Sequence, residues 1–209
     1  MAKGQIIFLN GASSSGKSTL AVTLQKALDK PYLYMSIDDH FYRFTKFISE
    51  YQKIGQSKFP SISTVNQPQE FLTSRGLGSF IFQQISRFHH AVAAKANLGN
   101  RVIVDHVLEQ SIWLEECVTL FNGLEVIFVG VHCPLEELER REINRGDRQI
   151  GLARYQYRQV HAHRIYDIEL DTSNLTPEEC ASIIVEYVNS GSSPTAFEQL
   201  RQNLENRSE

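Results

Sequence analysis

The sequence predicts an α/β fold in which a parallel sheet is covered by helices on both faces. Three observations point to it. Short apolar runs alternate with segments of helical periodicity along most of the chain. A glycine-rich loop joins the first such run to the first helical pattern. The inner runs are largely apolar, as strands buried on two faces are.

The first strand is Gln5-Ile6-Ile7-Phe8-Leu9-Asn10, and the first helix is expected over Thr19–Leu28, with Leu20, Leu24, Ala27 and Leu28 on one face. Leu33–Ile37 is the second strand, Arg101–Asp105 the third and Val126–Val131 the fourth. The fifth, Tyr166–Asp171, is more polar and is expected near an edge. Helices are expected over residues 79–97, with Ile81, Ile85, Phe88 and Val92 aligned, and over 111–121, 135–145 and 152–163. Thr176-Pro177-Glu178-Glu179 is a capping box with proline in the first turn, and it opens a last helix lined by Cys180, Ile183, Ile184, Tyr187 and Val188. Ser190-Gly191-Ser192-Ser193-Pro194 reads as a linker, followed by a tail that is either a short surface helix or loose. No internal repeat is present.

Bulk properties exclude several classes. With 209 residues the chain can bury one sizeable core. A net charge of −3 gives no reason to expect a nucleic acid as partner. No apolar run is long enough to span a membrane. Cys117, Cys133 and Cys180 are scattered, odd in number and without a C-x-x-C pair, as expected of reduced thiols in a cytoplasmic protein. The chain enters its first strand at once, so no signal peptide is expected. The oligomeric state is left open.

Gly11-Ala12-Ser13-Ser14-Ser15-Gly16-Lys17-Ser18, followed by Thr19, matches the Walker A pattern at every fixed position. Successive backbone N–H groups in such a loop form a nest for phosphate oxygens, and the helix that follows adds a partial positive charge. Lys17 is expected on the β- and γ-phosphates and Ser18 on Mg²⁺, which arrives with the nucleotide. Asp38 and Asp39 end the second strand. Asp38 is the candidate general base for an attacking hydroxyl, and Asp39 the candidate helix cap. Asp105 follows Val102-Ile103-Val104 as a Walker B carboxylate would, and is the candidate second metal ligand. Arg141, Arg145 and Arg148 share one helix face. Such a row repels itself unless an anion neutralises it, and Gly146 and Gly151 nearby suggest a hinged lid over phosphates. The competing reading is a solvated face paired with Glu137, Glu142 and Asp147. The scattered histidines are assigned packing roles.

These residues together resemble the chloramphenicol phosphotransferase-like P-loop kinases. The resemblance runs from Ile7 through the Walker loop, Ser36-Ile37-Asp38 and Val102–Asp105. It continues through Val129–Pro134, Glu139–Glu142, Arg145-Gly146-Asp147-Arg148, Ala153, Gln156, His161 and Tyr166–Thr172. It implies a P-loop NTPase fold, a nucleoside monophosphate kinase-like three-layer sandwich whose five-stranded parallel sheet has the order 2-3-1-4-5, with a helical lid. It implies transfer of the ATP γ-phosphate to a small-molecule hydroxyl, with Asp38 as base and the three arginines in the lid. It also places the nucleotide base at the Asp171–Thr172 turn. The expected organisation is a kinase domain over residues 1–189, with a lid at about 140–155, an acceptor-binding region at about 38–75, and a tail over 190–209. The stretch 40–75, with Phe41, Tyr42, Phe44, Phe47, Tyr51 and Phe59, departs from the antibiotic-phosphorylating enzyme, so a metabolic or nucleoside kinase remains an alternative. A nucleotide-dependent switch is the alternative of another class, although no N-K-x-D base-reading motif is present.

Overall fold

The computed structural model describes residues 3–43, 77–146, 150–163 and 165–206. Strand β1 (Gln5–Asn10) is central, flanked by β3 (Val102–His106) and β4 (Glu125–His132). β2 (Leu33–Ser36) and β5 (Ile168–Asp171) form the edges, so the order is β2-β3-β1-β4-β5. Every pairing is parallel, with Phe8 opposite both Val104 and Phe128.

The alternation of side chains along β1 explains why all four of its central residues are apolar. Ile6 and Phe8 enter a core shared with helices α2 (Leu77–Asn97) and α3 (Ser111–Leu120). Ile7 and Leu9 enter a second core on the opposite face, shared with α1 (Lys17–Ala27) and α6 (Pro177–Asn189). Burying both faces is what a parallel sheet requires. The capping box at the start of α6 forms as expected: the Thr176 hydroxyl accepts from Glu179 N, and the Glu179 carboxylate accepts from Thr176 N.

The last turn of sequence is not a loose tail. Residues Ala196–Glu205 form helix α7, and Ala196, Phe197 and Leu200 are buried in the main core, so the helix is not confined to the surface. Phe197 stacks on Phe121 at 6.0 Å and meets Phe128 edge-on at 5.1 Å. Asp167 ties this helix to the sheet. Its Oδ1 accepts from Thr195 N and Ala196 N, and its Oδ2 from Phe128 N. With Asp167 spent in this way, β5 begins at Ile168, two residues later than expected.

Helix α5 (Leu152–Tyr157) is also shorter than the expected 152–163. Gln159 N donates to Gln156 O and Ala162 N to Gln159 O, so the chain tightens into turns. The Val160 carbonyl is taken by Asn10 Nδ2 instead. Among the described residues no helix is long and apolar enough to cross a membrane.

Candidate phosphate-binding site

β1 delivers the glycine loop to the carboxyl end of the sheet, where such folds bind ligands. Gly16 caps α1 in the left-handed region at φ 91°, which glycine adopts without strain. A side chain at Gly11 would come within 2.4 Å of the Val131 carbonyl, so this position must be bare for the loop to lie against β4.

A cavity of about 500 Å³ opens over the loop. Ser13, Ser14, Gly16, Lys17, Ser18 and Thr19 line it, while Ala12 and Ser15 face a separate cavity behind the loop. The Ser18 hydroxyl donates to Asp105 Oδ2 at 2.7 Å, and Lys17 Nζ stands 3.9 Å from Asp105 Oδ1. The predicted metal pair is thus in contact. Lys17 is buried and its Nζ donates to Ala12 O at 2.8 Å, across the mouth of the nest. The hydroxyls of Ser14 and Ser15 are buried without a protein partner. A loop whose cavity-side Ser14 hydroxyl lacks a protein partner and whose lysine ammonium rests on the Ala12 carbonyl is suited to phosphate oxygens. Ser18 and Asp105 together suit a small hard cation that keeps most of its water.

Asp38 lines the same cavity. It lies in a helical stretch, residues 37–43, rather than at the end of β2, which stops at Ser36. The helix cap is not Asp39 either: Asp39 N donates to the Ser36 hydroxyl at 3.4 Å, so serine one turn earlier takes that role. Nearly all of the expected acceptor region, including Phe44, Phe47, Tyr51 and Phe59, lies outside the described residues, as does Arg148.

Arg141 and Arg145 project from α4 (Leu135–Arg145) and line the cavity. Arg141 is anchored: Nε donates to Glu137 Oε1 at 2.8 Å, Nη1 to Thr172 Oγ1 at 3.1 Å and Nη2 to Thr172 O at 2.8 Å. Arg140 and Arg141 together hold the half-buried Glu137 carboxyl down at about 2, through hydrogen bonds first. Glu142 is not a surface partner for the arginines. It is buried, and its carboxylate accepts from Gly151 N at 2.7 Å and Ala153 N at 2.9 Å. It therefore caps α5 from the neighbouring helix, a role Gly151 leaves open because it has no side chain of its own. Gly146 and Gly151, at φ 69° and 95°, bound the two helices.

Asp171 faces the cavity behind the loop, with Ala12 and Ser15. Its carboxylate accepts from Ser173 N, Ser173 Oγ and Asn174 Nδ2, which closes the turn after β5, and it does not line the loop cavity. Thr172 does line it, and its hydroxyl donates to Ser15 O at 2.8 Å. Leu175, Pro177 and Cys180 complete that apolar end of the cavity. Cys180, like Cys117 and Cys133, is a free buried thiol.

Sequence reasoning missed several site residues. Tyr34 OH donates to Asp105 Oδ2 at 3.0 Å; burial and that carboxylate both push its pKa up. Asn10 is a hub beneath the loop, donating to Val160 O and Tyr166 OH and accepting from Leu108 N. A polar residue closing an all-apolar strand was the available signal. Gln156, named in the sequence only as part of the resemblance and without a role, accepts through Oε1 from the Ser13 amide at 2.8 Å.

Comparison with known proteins bears on the family and the fold. A family model described as chloramphenicol phosphotransferase-like protein matches residues 4–189. "Putative O-phosphotransferase Rv2636" of Mycobacterium tuberculosis is 32% identical over 205 residues, spanning 98% of this chain and 91% of that one. Among solved structures, the Mycobacterium tuberculosis APS kinase CysC in complex with AMPPNP and APS aligns with a TM-score of 0.58 at 14% identity, covering 90% of this chain and 99% of that one. Shikimate kinase from Acinetobacter baumannii in complex with shikimate aligns at 0.53 and 14% identity, covering 90% of this chain and 95% of that one. At these identities the structural likeness concerns the fold.

Proposed function

The chain belongs to the chloramphenicol phosphotransferase-like family, and on that premise we propose that it is an ATP-dependent O-phosphotransferase acting on a hydroxyl of a small molecule. The observation that carries this reading is the convergence of Lys17 and Ser18, both against the Asp105 carboxylate, on a cavity that Asp38, Arg141 and Arg145 also line. A binding module needs the first three; a placed carboxylate and an arginine-bearing arm are what transfer adds.

In this reading the loop amides and Lys17 hold the phosphates of Mg·ATP, and Ser18 and Asp105 hold the metal, which neutralises charge on the phosphates. Asp38 takes the proton of the acceptor hydroxyl while that oxygen bonds to the γ-phosphorus. The bond from phosphorus to the β–γ bridging oxygen breaks, and ADP leaves. Arg141 and Arg145 stabilise the charge on the transferring group, and the arm that bears them excludes water. Leu175, Pro177 and Cys180 offer an apolar wall to the nucleotide base.

The test is Mg·ATP turnover coupled to ADP release, run with chloramphenicol and a panel of hydroxyl-bearing metabolites. ADP release stimulated by a panel member, with its phosphate ester found by mass spectrometry, is the expected result and names the acceptor. Nucleotide binding with no stimulated release across a broad panel would turn the reading towards a nucleotide-dependent switch.

A further inference from the structure

The amides of a phosphate loop are ordinarily kept for ligand oxygens. In this chain one of them is taken by a side chain. Gln156 Oε1 accepts from Ser13 N at 2.8 Å, and both residues are buried. The loop has two ends. The amides from Gly16 onward belong to the start of α1 and cradle the α- and β-phosphates. Lys17 Nζ, which serves the β- and γ-phosphates, rests on Ala12 O at 2.8 Å, directly beside the Ser13 amide. Ser13 therefore marks the γ end.

Gln156 is itself held from two sides. Its carboxamide lies near the Glu109 carboxyl: burial pushes the Glu109 pKa up, and the Gln156 side chain offsets part of that shift. The bond from Ser13 N fixes Oε1 as the end of the amide that meets the loop. Gln156 also sits on α5, which Glu142 caps from α4, the helix that carries Arg141 and Arg145. A continuous path thus runs from the arginine-bearing helix to the Ser13 peptide.

We propose that Gln156 is a positioning residue that fixes the γ end of the phosphate loop, so that the site favours nucleoside triphosphate over diphosphate. This rests on the phosphotransferase reading. Without Gln156 the Ser13 N–H is left buried and unpaired, and the 12–15 segment relaxes to satisfy it. The α/β end, built on the first turn of α1, keeps its geometry.

The experiment is calorimetric titration of the wild type, Gln156→Met and Gln156→Ala with Mg·ADP and with Mg·AMPPNP. Methionine keeps the length and fill of glutamine but offers no comparable acceptor. In both variants AMPPNP affinity is expected to fall about tenfold while ADP affinity stays within about twofold. ADP binding doubles as the check that the variants fold. An equal loss for both nucleotides would mean Gln156 is merely structural and would overturn the proposal; so would unchanged or tighter AMPPNP binding. If the wild type bound neither nucleotide, the phosphotransferase reading would fall and this inference with it. Wild-type binding with an unchanged variant ratio would sink the inference alone.

Discussion

Removing the Glu142 carboxylate is the sharpest probe of the arm. This side chain is 1% exposed and accepts two backbone bonds, from Gly151 N at 2.7 Å and Ala153 N at 2.9 Å. Bonds to a charged acceptor contribute about 1.5–3 kcal/mol each. Glu142→Ala loses both and strands two N–H groups at the start of a six-residue helix. The gross loss is therefore about 3 kcal/mol at the low end of that range. It is capped by the cost of letting α5 open locally, because beyond that point the rest of the fold no longer feels it. Urea denaturation should show a loss of about 2–3 kcal/mol in Glu142→Ala and about half as much in Glu142→Gln, which keeps one acceptor oxygen. Amide exchange at Gly151 and Ala153 should accelerate in both. A change under about 1 kcal/mol, with exchange at those amides unaltered, would refute the view that Glu142 organises the arm.

Other outcomes follow from the same geometry. Asp38→Asn should lower turnover about a hundredfold or more with little change in ATP affinity, and wild-type turnover would remove the base assignment. Asp105→Asn should raise the Mg²⁺ concentration needed for half-maximal nucleotide binding; an unaltered Mg²⁺ titration would separate Asp105 from the metal. Phe197→Ala opens a void among Phe8, Phe121 and Phe128 and should cost about 3–5 kcal/mol in a denaturant melt. A cost under about 1 kcal/mol would mean that α7 is not firmly docked. Burial, before any neighbouring charge, holds His161 down at about 3 and His163 at about 4, against an ordinary 6.5. The unfolded chain binds more protons there, so stability should drop as pH falls from 6.5 towards 4, by at most about 1.4 kcal/mol per unit for each histidine. Flat stability from pH 7 to 5 would show that these rings are not shielded.

The strands were legible because parallel strands buried on two faces leave unbroken apolar runs, and β1 was read to the residue. The Walker loop was legible because its geometry demands fixed residues. Strand order was not in the periodicity at all; it entered through the family resemblance, and the sheet agrees with it. Roles that depend on which way a polar group turns stayed hidden. Ser36 rather than Asp39 caps the helix, since either residue type serves and only backbone geometry chooses. Asp171 entered as a nucleotide-base residue through the family resemblance, and the three donors its carboxylate takes from its own turn had no signal in the sequence. Gln156 and Glu142 act across helix boundaries, where no sequence period applies. Helix α7 was ambiguous because its apolar face, Phe197, Leu200 and Leu204, is short and follows a serine-rich linker.

That helix has a consequence for how the molecule comes into being. Phe8, on the strand that carries the phosphate loop, touches Phe197, and the match to the family model ends at residue 189. Synthesis runs from the amino end, so the strand that carries the phosphate loop is made well before its aromatic neighbour Phe197. Until then Phe8, Phe121 and Phe128 present an uncovered aromatic surface, the kind that attracts chaperones or other nascent chains. A fragment cut at residue 189 would be frozen in that condition, with its entire Walker loop intact and its aromatic face open.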